Sequence, residues 1–199
     1  DDWRACRRYL EAEWGYDRYG GVCHIIPNAG VCVLALLYGK GDFSRTVEIA
    51  TMCSWDTDCN AGNVGTIMGV LCGLEGIPEH YRKPINDCIV CSSVSGYLNI
   101  VDFPTFCKEL ALLSYRLHQQ EPPRKLADSV RFGELYFDFD LPGSTHGIRT
   151  SNPFKTPVIR HTRRVSYGES RGSLEIIFDR ITNVESSKIY YKPFYRRED

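Results

Sequence analysis

Asp56 and Asp58 bracket Thr57 in the run Ser54-Trp55-Asp56-Thr57-Asp58-Cys59-Asn60-Ala61-Gly62. Two carboxylates one residue apart have two chemistries open to them. At the start of a helix they satisfy free N–H groups and complement the positive end of the dipole. As hard oxygen donors they hold a divalent ion such as Mg²⁺, with Thr57 adding a side-chain or backbone oxygen. The spacing alone favours the cap, because an Asp-x-Asp pair is a short motif. The dipole also opposes a cation at a helix N-terminus, so a metal site here needs further ligands from elsewhere.

The element that positions the pair is an uncharged stretch, 59–74, with glycine at 62, 65, 69 and 73. Intervals of three and four place those glycines on one helical face, with Val64, Ile67, Met68, Val70, Leu71 and Leu74 around the rest. Glycine costs roughly 1 kcal/mol per helix position relative to alanine, so the pattern predicts a helix buried on all sides with neighbours against the glycine stripe. Further helices read clearly. An amphipathic start runs from Asp2 to about Tyr16, and Pro27 suits the first turn of a second helix that stops at Gly39-Lys40-Gly41. Asp42 caps a third, to about Met52, and Glu79-His80-Tyr81-Arg82 forms a short turn of helix. Asp102 caps a long one from Phe103 through Leu117.

Beyond Glu121-Pro122-Pro123 the period changes. Residues 131–140 alternate, with Leu135, Phe137 and Phe139 on one face and Glu134, Tyr136, Asp138 and Asp140 on the other. Residues 158–167, 174–181 and 188–195 also read as strands, separated by Pro142-Gly143, Asn152-Pro153, Gly168-Glu169-Ser170 and Asn183-Val184-Glu185-Ser186. The expected fold class is α+β: an all-α helical domain over residues 1–120, then an antiparallel β-sandwich-like module over 121–199.

With 43% hydrophobic and 25% charged residues the composition is that of a soluble globular protein. A net charge of −1 gives no basis for non-specific binding to nucleic acid or a membrane, and stretch 59–74 is too short and glycine-rich for a membrane span. The nine cysteines fall mostly in apolar helical pattern, which predicts reduced, buried thiols and a cytoplasmic protein. Cys88-Ile89-Val90-Cys91 is a lone C-x-x-C, for which core packing outweighs a metal or redox role. Asp1 leads straight into helical pattern without a start methionine, so the expectation is a chain that begins inside a longer protein.

Lesser candidates divide between structure and chemistry. His24 and Asn28 flank a helix start and either begin it or face a ligand. Gly143-Ser144-Thr145-His146-Gly147 has nucleophile-type residues in a turn, with no acid assigned to orient the histidine. Arg160, His161, Arg163 and Arg164 alternate faces on a strand, which suits a solvated surface. Tyr190, Tyr191, Phe194 and Tyr195 suit either a sugar-binding platform or core packing.

The order of motifs over about residues 23–85 is more specific. His24-Ile-Ile-Pro-Asn28, an apolar helix ending Leu-Leu-Tyr-Gly39, Asp42-Phe43, Trp55-Asp-Thr-Asp-Cys-Asn-Ala-Gly62 and Gly76-Ile-Pro78 together resemble the C-terminal half of the ADP-ribosylglycohydrolase family, of the dinitrogenase-reductase-activating type. The resemblance implies an all-α fold and a site with two Mg²⁺ or Mn²⁺ ions that hydrolyses the bond at C1 of ADP-ribose. It makes Asp56 and Asp58 metal carboxylates and puts Cys59 where many members carry a threonine ligand. A thiol is a poor partner for Mg²⁺, which leaves Thr57 or a backbone oxygen as the substitute. Ser54-Trp55 replaces the paired glycines common before the motif, and Tyr81 stands where Trp is frequent. The family's Thr-Asp-Asp cluster is nowhere in the sequence. The resemblance therefore implies that this chain holds at most half of a dinuclear site, and that the missing N-terminal half of the same fold is its partner. Its substrate would be an ADP-ribosylated protein or a small ribosyl conjugate, with no role for nucleic acid or membrane. The alternative is a non-enzymatic scaffold or carbohydrate-binding protein that uses the β-module.

Overall fold

Asp2 begins the first helix, α1 (Trp3–Trp14), by accepting the Arg4 N–H at 3.0 Å. The computed structural model describes residues 2–21, 23–90, 100–130, 136–150, 157–166, 168, 170–178 and 188–191. They fall into two compact units, Asp1–Tyr81 and Arg82–Asp199.

In the first unit a 3-10 turn, Tyr16–Arg18, leads to α2 (Ile25–Gly39), whose cap is His24: its Nδ1 accepts the Ile26 N–H at 3.2 Å. The turn after α2 is tight because Gly39 lies against Thr46, where an added β-carbon would come within 1.9 Å of Oγ1. Asp42 Oδ1 accepts the Arg45 N–H at 2.6 Å and starts α3 (Phe43–Met52). Next come α4 (Thr57–Cys72), a 3-10 turn at Leu74–Gly76, and α5 (Glu79–Arg82). Each of α1 to α4 packs on the next, and α2 also meets α4. Trp3, Val31, Leu34, Ala35, Ile49, Ala50, Cys53, Val64 and Met68 form the core.

The uncharged helix α4 is not buried on all sides. Asn60, Val64 and Met68 recur every four residues and face inward. Ile67, Val70 and Leu71 are exposed, Val70 at 85%. Nothing lies within 4 Å of a β-carbon built on Gly62 or Gly73, and at Gly65 and Gly69 the nearest atoms are 3.8 and 3.6 Å away. A single stripe of this helix makes its contacts, and an uncharged sequence alone does not fix how many faces are covered.

In the second unit two strands, β1 (Cys88–Val90) and β2 (Ile100–Asp102), pair antiparallel with Ile89 opposite Val101. They lie where the sequence reads as helix, because strand pairing across ten residues leaves no helical or hairpin signature. Asp102 then caps α6 (Phe103–Leu117), taking the Thr105 N–H at 3.0 Å and its hydroxyl at 2.8 Å. After α7 (Arg124–Asp128) come β3 (Arg149–Thr150), β4 (Val158–Thr162), β5 (Ser173–Ile177) and β6 (Ile189–Tyr190). β3 pairs with β6, and β4 with β5, so the described strands form three separate two-stranded sheets. A sandwich needs two stacked sheets with alternating inner faces, and among the described residues none forms. Cys91, Leu135, Tyr167, Phe194, Tyr195 and the expected turns at Asn152-Pro153 and Asn183-Val184 lie outside the described residues.

The expected alternation over 136–140 fails at its centre: Asp138 is buried, while Phe137 is exposed along with Tyr136. Phe139 adopts φ 49°, which breaks the extended backbone. Asp138 is held inside by charge, with its Oδ2 2.5 Å from Lys108 Nζ and its Oδ1 3.6 Å from His146 Nε2. The other ring nitrogen of His146, Nδ1, lies 3.2 Å from Asp102 Oδ1. Phe137 and Phe139 stand edge-on to the imidazole, and Asp87 takes the backbone N–H groups of Thr145 and His146. Burial acts to lower the pKa of His146, but Asp102 and Asp138 raise it above the ordinary 6.5. Burial acts to raise that of Asp138, and His146 and Lys108 more than reverse this, leaving it well below the ordinary 3.8.

A folded pKa above the unfolded one stabilises fully below the unfolded value and is lost as pH rises through the folded value. The His146 contribution is thus complete below pH 6.5 and fades above it, while that of Asp138 is complete above pH 3.8 and fades toward lower pH. The thermal midpoint of the transition that includes this unit should fall as pH rises from 6.5, and His146→Gln should flatten that fall. A wild-type midpoint that stays level from neutral to alkaline pH would contradict the assignment.

Candidate metal centre

Between α3 and α4 the chain turns through two left-handed residues that are not glycine, Ser54 at φ 63° and Asp56 at φ 42°. A β-carbon in that region costs about 1–2 kcal/mol per residue, so the turn must be held from outside. Arg7 does so at one end: its Nε donates to the Cys53 carbonyl at 3.0 Å, and its guanidinium lies 3.6 Å from the Trp55 ring centroid. Asn60, 1% exposed, donates its side-chain amide to the Trp55 carbonyl at 2.6 Å. Asn28, also buried, donates Nδ2 to Asp56 Oδ2 at 2.9 Å. Tyr16 sets its ring edge-on to Trp55 at 5.2 Å and donates its hydroxyl to Asn28 Oδ1.

Asp56 occupies the cap position of α4, yet its carboxylate makes no capping hydrogen bond. The cap reading favoured by spacing therefore fails at this residue. The carboxylate instead faces Asn28 and the Cys23 thiol, which donates to Oδ2 at 3.0 Å. Asp58 sits exposed in the first helical turn. One ligand atom each from Asp56, Asp58 and Cys59 lies within 4.8 Å of the other two. The two carboxylates fit a hard divalent ion: both are oxygen donors, and one is turned out of the cap. The thiols do not fit it. A hydrogen bond to Asp56 and the nearby acidic charges push the Cys59 thiol up, and a separate hydrogen bond to the same carboxylate raises that of Cys23. A protonated sulfur is a poor ligand for Mg²⁺.

Several of the remaining candidates have structural partners. His24 caps α2 and stacks on Tyr19 at 4.6 Å. His146 has its orienting acid after all, with Asp102 at Nδ1 and Asp138 3.6 Å from Nε2, while the Ser144 hydroxyl meets only the backbone, accepting the His146 N–H at 3.3 Å. Arg160 pairs with Glu175, and His161 meets the Phe139 carbonyl at 2.9 Å. Tyr191, half-buried, packs edge-on to Phe137 at 5.0 Å, and burial pushes its phenol up to about 12. The eight described cysteines are free thiols; Cys53 is buried, while Cys23, Cys59 and Cys107 are exposed. Sequence reasoning missed Tyr16 and Cys23 as neighbours of the pair. Only Cys23 left a local trace, in its five-residue spacing from Asn28.

Glycine at position 54 removes the β-carbon penalty at the cost of a floppier unfolded chain, for a net gain of about 0.5–1 kcal/mol. Ser54→Gly should therefore raise the urea midpoint of unfolding. An unchanged or lowered midpoint would show that the turn is unstrained.

No curated protein and no solved structure matches the chain. Among the described residues no helix is long and apolar enough to cross a membrane. The family model described as ADP-ribosylglycohydrolase matches residues 2–121, which is more than half of the 199-residue sequence and includes the whole Asp56–Cys59 cluster. The chain belongs to the ADP-ribosylglycohydrolase family.

Proposed function

We propose that the first unit supplies one part of a two-metal glycohydrolase site that cleaves the bond between C1 of ADP-ribose, or a related ribosyl group, and its leaving group. The family hydrolyses such glycosidic bonds, and the observation that carries the reading to this chain is the carboxylate of Asp56. It stands at a helix start, makes no cap bond, and lies within ligand reach of Asp58. Asp56 and Asp58 would hold Mg²⁺ or Mn²⁺, with Thr57 or a backbone oxygen in place of the Cys59 thiol. The chemistry supplied with the ions bound is orientation of the ribose hydroxyls and activation of a water for attack at the anomeric carbon. Fixing Asp56 by a neutral amide leaves its negative charge available to an ion, which a lysine or arginine partner would cancel.

The sequence holds no Thr-Asp-Asp cluster, so the remaining carboxylates come from another segment of the same fold. That requirement agrees with the helix dipole, which opposes a cation at the start of α4 unless more negative ligands converge there. The substrate is then an ADP-ribosylated protein or a small ribosyl conjugate. In the complete protein Asp58→Ala should lower the turnover of an ADP-ribosyl substrate by more than about 100-fold, since even groups that only orient a ligand cost 10–100-fold. Normal hydrolysis by that variant would remove Asp58 from the site and the reading with it.

A further inference from the structure

We infer that Asn28 and Tyr16 form a positioning relay for Asp56, with Tyr16 bracing the Asn28 amide and Asn28 fixing the carboxylate; this rests on the metal reading above. The two Asn28 side-chain atoms have distinct partners. Nδ2 donates to Asp56 Oδ2 at 2.9 Å, and Oδ1 accepts the Tyr16 hydroxyl. A buried asparagine amide turned by 180° would offer oxygen to the carboxylate and nitrogen to the phenol, losing the first bond to repulsion between acceptors. The acceptor-only Asp56 carboxylate thus sets the orientation of the amide, and the Tyr16 hydroxyl, by donating to Oδ1, braces the amide in it.

The backbone adds a reason for such a relay. Asp56 is a non-glycine residue at φ 42°, ψ 57°, a conformation that a free aspartate adopts rarely. That backbone also departs from the extended conformation usual at a cap, and the carboxylate makes no bond to the first-turn N–H groups. The Asn28 bond holds it instead. The Cys23 thiol reaches the same oxygen at 3.0 Å from an exposed position and is the weaker donor. Tyr16 is itself fixed, ring edge against Trp55, and Trp55 lies under the Arg7 guanidinium. The relay therefore begins in a braced aromatic contact and ends at the carboxylate that faces the ion.

Mn²⁺ binding to the complete protein, followed by the loss of the free-ion signal in electron paramagnetic resonance, tests this directly. Tyr16→Phe keeps the ring on Trp55 and removes only the hydroxyl; Asn28→Leu keeps the volume and removes the donor. Asn28→Leu should weaken Mn²⁺ binding by about 10–100-fold, and Tyr16→Phe by several-fold in the same direction. In the Asn28→Leu background, Tyr16→Phe should add nothing further to the loss. A urea titration of each variant separates this from a merely structural role, which would lower the unfolding midpoint and leave Mn²⁺ affinity unchanged. Tyr16→Phe and Asn28→Leu binding Mn²⁺ like the wild type, with Asp58→Ala deficient, overturns the relay and leaves the metal reading intact. Additive losses in the double variant overturn the transmission through Asn28. Wild-type protein that takes up no Mn²⁺, or an Asp58→Ala variant that binds it equally well, overturns the metal reading and the relay together.

Discussion

The left-handed turn at Ser54 and Asp56 is the constraint around which the first unit is arranged. Two residues with β-carbons sit where glycine is at ease, and the turn persists because side chains from three helices and the intervening 3-10 turn converge on it. Arg7 of α1 holds the Cys53 carbonyl, Asn28 of α2 holds the Asp56 carboxylate, and Asn60 of α4 holds the Trp55 carbonyl. Each bond satisfies a polar group that would otherwise be stranded near the core, and together they set the direction in which α4 leaves. The resemblance that puts glycine before the motif in relatives gains a physical meaning here, since position 54 is one where a side chain is strained.

Helix boundaries were legible because they are written locally. Asp2, Asp42 and Asp102 each accept an N–H of the helix that follows, and Pro27 and Pro104 fall in first turns where no N–H is needed. The acidic pair was legible as a pair, and the order of motifs named its family. Its surroundings were legible only in part: Asn28 stood out at a helix start as a residue able to face a ligand, whereas nothing in the local pattern of Tyr16 or Cys23 points to a carboxylate. The exposed face of α4 was misread for a related reason. Val70 and Leu71 have core-type side chains, but what covers a face is decided by distant elements. The burial of Asp138 shows the complementary failure, in which alternation predicts an outward acid and a lysine with a histidine draw it inward.

Histidine serves two unlike purposes in this chain. His24 acts as an acceptor, its Nδ1 taking the place of the serine or aspartate oxygen more usual at a helix start. His146 is the centre of a buried ionic cluster, with carboxylates on both sides and a lysine beyond one of them. A catalytic histidine needs one nitrogen oriented and the other free for proton transfer. His146 has a carboxylate beside each nitrogen and is 1% exposed, so the Ser144-Thr145-His146 sequence reads as a structural turn despite its composition.

The nearest-neighbour order of the helices, α1 on α2, α2 on α3 and α3 on α4, also dictates when the site can assemble. At a synthesis rate of roughly 5–20 residues per second, the 28 residues that separate Asn28 from Asp56 take about 1–6 s to emerge. Helix formation and collapse are complete within microseconds to milliseconds, so α1 and α2 have ample time to meet first. The surface that receives the strained turn is therefore in place before the turn is made. Asp56 arrives after Asn28 and Cys23, at a position they already define.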